Sequence, residues 1–163
     1  MLNIGTYVVK GSFGVCRVED VVRLNESNER LYYLLVPANG GESRFYLPAD
    51  QENLRVRSVV SREEAWKLMQ RIEGIEAFSM EPDQEREKQY AAAVGSGRLE
   101  EVVSLLKYLS ARKRERASQG KDLISVDRRY LQVTRHLLSD ELSFVTGESP
   151  QAIEDIVQKA LNA

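Results

Sequence analysis

The sequence predicts an α+β chain: a small β-barrel at the N-terminus, then an all-helical bundle of about five helices. Two successive patterns carry this reading. Up to about Arg57, short runs of β-branched and aromatic residues alternate with turn signals. After Val60, apolar residues recur with the 3.6-residue period of helices. At 163 residues and 42% hydrophobic, the chain is long enough to bury a core in each part. The boundaries read as 1–58 and 59–163.

The first part opens with IGTYVV (4–9) and the connector KGSFG (10–14). VCRVEDVVRL (15–24), the polar NESNER (25–30), LYYLLVP (31–37), the turn ANGGES (38–43) and RFYLP (44–48) follow. Four or five strands joined as hairpins fit this spacing. Asn39-Gly40-Gly41 supplies the positive-φ positions that a tight connection needs. A strongly bent sheet or small barrel of SH3/Tudor size suits the length. Charges balance here, with seven Lys/Arg (Lys10, Arg17, Arg23, Arg30, Arg44, Arg55, Arg57) against seven Asp/Glu (Glu19, Asp20, Glu26, Glu29, Glu42, Asp50, Glu52).

In the second part, Ser61 and Glu64 form a capping-box pattern, and Ala65, Leu68, Met69 and Ile72 make the first helical stripe. A loop (Ser79–Asp83) precedes a polar helix from about Gln84 to Val94, which GSG (95–97) ends. Leu99, Val102, Val103, Leu106 and Leu109 form the next stripe. A long helix over Ser125–Val145 turns Leu131, Thr134, Leu137, Leu138 and Val145 inward. Ser149-Pro150 starts the last helix, since proline suits the first helical position.

Composition excludes several classes. Gly 10 and Pro 4 are too few for a disordered or fibrous chain. The single cysteine, Cys16, precludes a disulfide framework and reads as a small buried apolar residue. The N-terminus has no signal-peptide pattern, and no apolar run nears the ~18 residues of a membrane span. The expectation is a soluble, cytoplasmic protein without membrane contact. One histidine, His136, and one cysteine cannot build a metal cluster, and His136 reads as a packing or half-exposed side chain. The glycines of KGSFG and VGSGR match neither a P-loop nor a dinucleotide fingerprint. Glu residues alternate with Lys/Arg as on solvated helix surfaces. No cofactor is called for, and the chain reads as a non-enzyme.

IGTYVVKGSFGVCRVEDV at the start, the strand ending in RFYLP, GRLEEVVSLLKYLSARKRER and RHLLSDELSFVTG together resemble the bacterial CarD/CdnL transcription-factor family. The resemblance runs over essentially the whole chain. It implies a Tudor-like N-terminal domain, shared with transcription-repair coupling factors, that binds the β subunit of RNA polymerase. It also implies a helical domain that meets promoter DNA upstream of the transcription bubble and helps stabilise the open complex. An edge strand that pairs with a partner strand is the mechanism such a domain would use. The family's polymerase-contacting strands map onto Val21–Leu24 and Arg44–Pro48. Its basic residues there align with Leu24 and Tyr46, and Arg23 and Arg44, one or two places away, can substitute. Tyr46 and Phe45 also fit a plain in-and-out alternation of a strand. Exchange of N-terminal strands into a homodimer stays open.

The family's groove-wedging tryptophan, near the start of the second helix, aligns with Arg86 in DQEREKQY (83–90), close to Lys88. Trp66, the single tryptophan, lies a helix earlier on the flank of an apolar stripe and reads as core. Contact with DNA is then through charge, with an arginine able to enter a narrow minor groove. The cations for this gather in 107–121, KYLSARKRERASQGK, six Lys/Arg and one Glu in a chain of net charge −2. Lys113 continues the apolar face of its helix, with Arg112 and Arg116 beside it. A helix C-terminus favours one or two cations at ~0.3–1 kcal/mol each. Arg112, Lys113, Arg114, Arg116 and Lys121, with Arg128 and Arg129 across the loop, exceed that need. They form the pattern of phosphate contact. Binding to DNA is expected to be weak, non-sequence-specific and dependent on tethering through the polymerase. The alternative is a polymerase-anchored adaptor whose helical domain binds protein and not DNA.

Overall fold

The computed structural model describes residues 2–51 and 56–163. The chain divides into two compact units, residues 1–59 and 60–163.

The first unit is a five-stranded antiparallel sheet: β1 (Tyr7–Lys10), β2 (Gly14–Arg23), β3 (Leu31–Pro37), β4 (Phe45–Pro48) and β5 (Arg57–Ser58). Their order across the sheet is β4-β3-β2-β1-β5. KGSFG does join two strands, as a single 3-10 turn (Gly11–Phe13) between Lys10 and its partner Gly14. Gly14 sits at φ 84, where a side chain would be strained. The register between β2 and β3 shifts between Val18 and Asp20. This bulge inserts Glu19 and bends the longest strand. Val8, Cys16, Val18, Tyr33, Leu35 and Leu47 fill the inner face, so Cys16 is a core residue. Tyr33 also accepts a hydrogen bond from the Leu2 amide through its hydroxyl, 3.1 Å away.

The second unit has five α-helices: α1 (Arg62–Gln70), α2 (Arg86–Gly95), α3 (Leu99–Ser118), α4 (Ser125–Thr146) and α5 (Pro150–Leu161). The Ser61–Glu64 capping box is present in both directions. Ser149 caps α5 by accepting from the Ala152 amide at 3.1 Å, with Pro150 at the first helical position. Helix α2 starts two residues later than its polarity suggests. The Gln89 side chain accepts from the Glu81 amide (2.8 Å) and donates to the carbonyls of Glu81 (3.0 Å) and Gln84 (3.1 Å). This buried amide closes 81–84 into a turn, so helical geometry begins only after Glu85.

One apolar core joins the five helices, with Ala65, Leu106, Leu109, Leu138, Leu142 and Ile153 at its centre. Trp66 packs against it and Leu131, Thr134, Leu137 and Leu138 of α4 are buried. His136 lies on the exposed side of α4. Two polar anchors hold irregular segments to this core. Glu141, almost wholly buried, accepts from the Val60 amide at 2.9 Å. Lys107 donates to the carbonyls of Ile72 and Glu73 at 2.9 and 3.0 Å, closing the turn after α1. No helix of the described residues is long and apolar enough to cross a membrane.

Candidate functional site

Strand β4 pairs with β3 on one side only; among the described residues its other edge meets no backbone partner. Its register with β3 (Leu35↔Phe45, Leu34↔Tyr46, Tyr33↔Leu47) sends Leu47 into the core and Tyr46 outward, where it is 46% exposed. Phe45 stacks on Phe13 of the 3-10 turn with ring centroids 4.3 Å apart, and the Lys10 ammonium lies over both rings. Arg44, just before the strand, pairs with Glu19 at 3.1 Å. The bulge is what brings Glu19 there, and Arg17 also approaches its carboxylate, at 3.5 Å. Arg23 and Leu24 lie at the far end of β2, with Arg23 opposite Leu31 and Leu24 52% exposed. The four sequence-predicted residues therefore occupy two places: Arg44 and Tyr46 at the free edge, Arg23 and Leu24 at the tip of the β2–β3 hairpin.

In the helical unit, Asp127 at the start of α4 is 0% exposed and organises its surroundings. Tyr90 of α2 donates its hydroxyl to Oδ1 at 2.7 Å. Arg112 of α3 donates Nε to Oδ2 at 2.8 Å, and Arg86 of α2 brings Nη1 to Oδ1 at 3.5 Å. The same Arg86 nitrogen donates to the hydroxyls of Tyr90 (2.8 Å) and Tyr108 (3.4 Å). The ring of Tyr90 stands edge-on to Phe78, Tyr108 and Tyr130. Arg86, Arg112 and Arg129 lie over the rings of Tyr90, Tyr108 and Tyr130 at 5.9, 5.9 and 5.3 Å.

The electrostatics follow from this packing. Burial works against the Arg86 charge, but hydrogen bonds to Tyr90 and Tyr108 and the charge of Asp127 outweigh it and raise its pKa. The hydrogen bond to Asp127 raises the Arg112 pKa against burial and the repulsion of Arg86. Burial, then the bond to Asp127, push the Tyr90 phenol well above its ordinary value, partly offset by Arg86.

The remaining predicted cations separate into two kinds. Arg116 bonds the Asp122 carbonyl, Arg128 the Leu123 carbonyl at 3.2 Å, and Arg129 pairs with Glu87. Arg114 reaches the Leu161 carbonyl at 3.5 Å, near the end of α5. Two residues turn a helix by about 200°, which places Arg114 on the side of α3 away from Arg112. Lys88, Lys113 and Lys121 are exposed and form no ion pair among the described residues. Arg112, rather than Lys113, turns toward the core. Sequence reasoning missed Asp127, Tyr90, Tyr108 and Glu19: an aspartate in the first turn of a helix and tyrosines at helical spacing have ordinary local explanations.

Residues 2–60 match the family model described as CarD-like/TRCF RID domain. The match covers the sheet unit and stops at the helical one. No curated protein matches the chain. The family is one of RNA-polymerase-interacting domains, which supports an RNA-polymerase-interacting, transcription-associated role for the matched unit. A five-stranded antiparallel sheet whose β4 edge meets no backbone partner among the described residues, matched over residues 2–60, makes the N-terminal unit a member of the CarD-like/TRCF RID domain family.

Proposed function

We propose that the chain is a CarD-like transcription regulator that docks on the β subunit of RNA polymerase through the β4 edge and touches promoter duplex upstream of the bubble through the basic side of its helical unit. In this reading it modulates the stability of the open complex and catalyses nothing. The supporting observation is the β4 edge, which meets no backbone partner among the described residues and carries Tyr46 in the strand and Arg44 just before it, in a domain of polymerase-interacting type. Unsatisfied amides and carbonyls along an edge give affinity to an incoming strand, and side chains on either face choose it. The test is binding of the full chain to purified RNA polymerase and to its isolated β lobe. Micromolar or tighter binding that Arg44→Glu and Tyr46→Glu weaken supports the reading; undiminished binding by both variants overturns the edge as the contact.

A second reading, the adaptor whose helices bind protein and not DNA, draws on the inward engagement of Arg86 and Arg112 with Asp127. DNA affinity measured against salt separates the two. Each engaged phosphate contributes a log–log slope of about −0.9 on duplex DNA, whereas the adaptor gives a slope of zero.

A further inference from the structure

Asp127 carries one negative charge between two guanidinium groups, each bound to a different carboxylate oxygen. The cluster therefore holds an excess positive charge, and Arg86 and Arg112 repel one another across it. Asp127, Tyr90 and Tyr108 take one nitrogen of each arginine. Both Nη groups of Arg112 and the Nε and Nη2 of Arg86 have no protein partner among the described residues. None of these donors is buried, and the two side chains are 26% and 30% exposed. Two arginines are thus fixed at their inner edges by a fully buried carboxylate and stacked on tyrosines, with their outer donors in solvent. Planar forks held this way match an oxyanion with two acceptor oxygens.

We propose that Arg86 and Arg112 form a preorganised clamp for a single backbone phosphate of duplex DNA, with Asp127 as its positioning residue. This rests on the reading that the helical unit meets DNA. Asp127 reaches no phosphate itself; it fixes the separation and tilt of the two forks, which lowers the ordering cost of binding. Free inorganic phosphate presents the same oxygens and is the competing source.

The sign of one substitution separates positioning from net charge. Removing a negative charge anywhere on the chain raises affinity for a polyanion, so Glu154→Gln on α5 is expected to bind duplex slightly more tightly than wild type. Asp127→Asn removes the same charge and is expected to bind several-fold more weakly, with a shallower salt slope. Affinity equal to or above that of Glu154→Gln overturns the proposal. Because Asp127→Asn disturbs a buried group, Arg112→Lys supplies an independent arm: it keeps the charge but loses the Nε bond and the fork. It is expected to weaken binding as much as Arg112→Gln, which lowers the slope by about 0.9; wild-type affinity in Arg112→Lys sinks the clamp. A wild-type slope of zero defeats the DNA reading itself, while a finite slope that neither Arg86→Gln nor Arg112→Gln lowers defeats the clamp alone. Arginine Nε–H resonances of the full chain identify the source. Saturation by inorganic phosphate alone at millimolar concentration overturns duplex as the ligand, and shifts produced by duplex but not by phosphate at equal ionic strength support it.

Discussion

Asp127 shows how much a single buried charge decides. Taking away a buried carboxylate that faces two guanidinium groups leaves them uncompensated, which costs about 3–5 kcal/mol. Asp127→Ala should lose stability of that order in urea unfolding, against a few tenths for substitution of exposed Lys113. Tyr90 gives the cluster a pH signature. Its folded pKa lies above the ordinary 10.0 and the unfolded chain has no such shift. Unfolded chains therefore release the phenolic proton first, so the contribution is whole below pH 10 and declines as pH rises through the folded value. Urea midpoints between pH 8 and 11 should fall less steeply for Tyr90→Phe than for wild type. None of this was legible along the chain. Position 127 reads as an acid favouring a helix N-terminus, and only folding shows that side chains of α2 and α3 close over it.

At the scale of elements, local rules served well where local bonds decide. The Ser61 box and Pro150 lie where their chemistry requires, Gly40 alone of Asn39-Gly40-Gly41 takes a positive φ, and the two periods separate strand from helix. Ser61→Ala should cost ~1 kcal/mol, read as a shift in thermal midpoint. The start of α2 lies later than the polarity suggests because Gln89, the fourth residue of the helix, bonds backward to the chain before it. Such a bond leaves no periodic trace. The bulge at Glu19 was equally silent, although it supplies the carboxylate that Arg44 and Arg17 share. Strand β4 combines both lessons. Tyr46 turns outward and Leu47 inward, as a strand's alternation requires, but that the strand lies at the sheet edge is a property of topology. Tyr46→Glu should leave stability within about 0.5 kcal/mol of wild type, as for an exposed site, while Leu47→Ala should cost ~2–5 kcal/mol by emptying core volume. Equal losses from the two would mean that Tyr46 is held by the fold rather than offered to a partner.

For the whole molecule, charge and attachment set how strongly duplex can be held. Positive and negative residues cancel in the sheet unit, so the full net charge of −2 falls on the remainder, which also carries the basic cluster. In the proposed reading, acidic side chains there oppose the pull of the cluster on duplex, and several of the arginines are already committed to protein carbonyls. Free in solution, the chain should bind mixed-sequence duplex weakly and lose most of that affinity between 50 and 200 mM salt. Docking on polymerase changes the concentration term rather than the contacts, and a short tether makes the second encounter intramolecular at an effective millimolar level. Protection of upstream duplex in a polymerase–promoter complex should then appear at chain concentrations about 100-fold or more below the free dissociation constant. Charge reversal of Lys88, Lys113 and Lys121 tests this without touching the Asp127 cluster, because these lysines have no ion partner among the described residues to lose. That triple variant should keep its thermal midpoint and its affinity for the polymerase β lobe, yet need a higher concentration to protect the same duplex. Unchanged protection would place the DNA contact elsewhere, and a lost β-lobe interaction would show that the lysines serve docking instead.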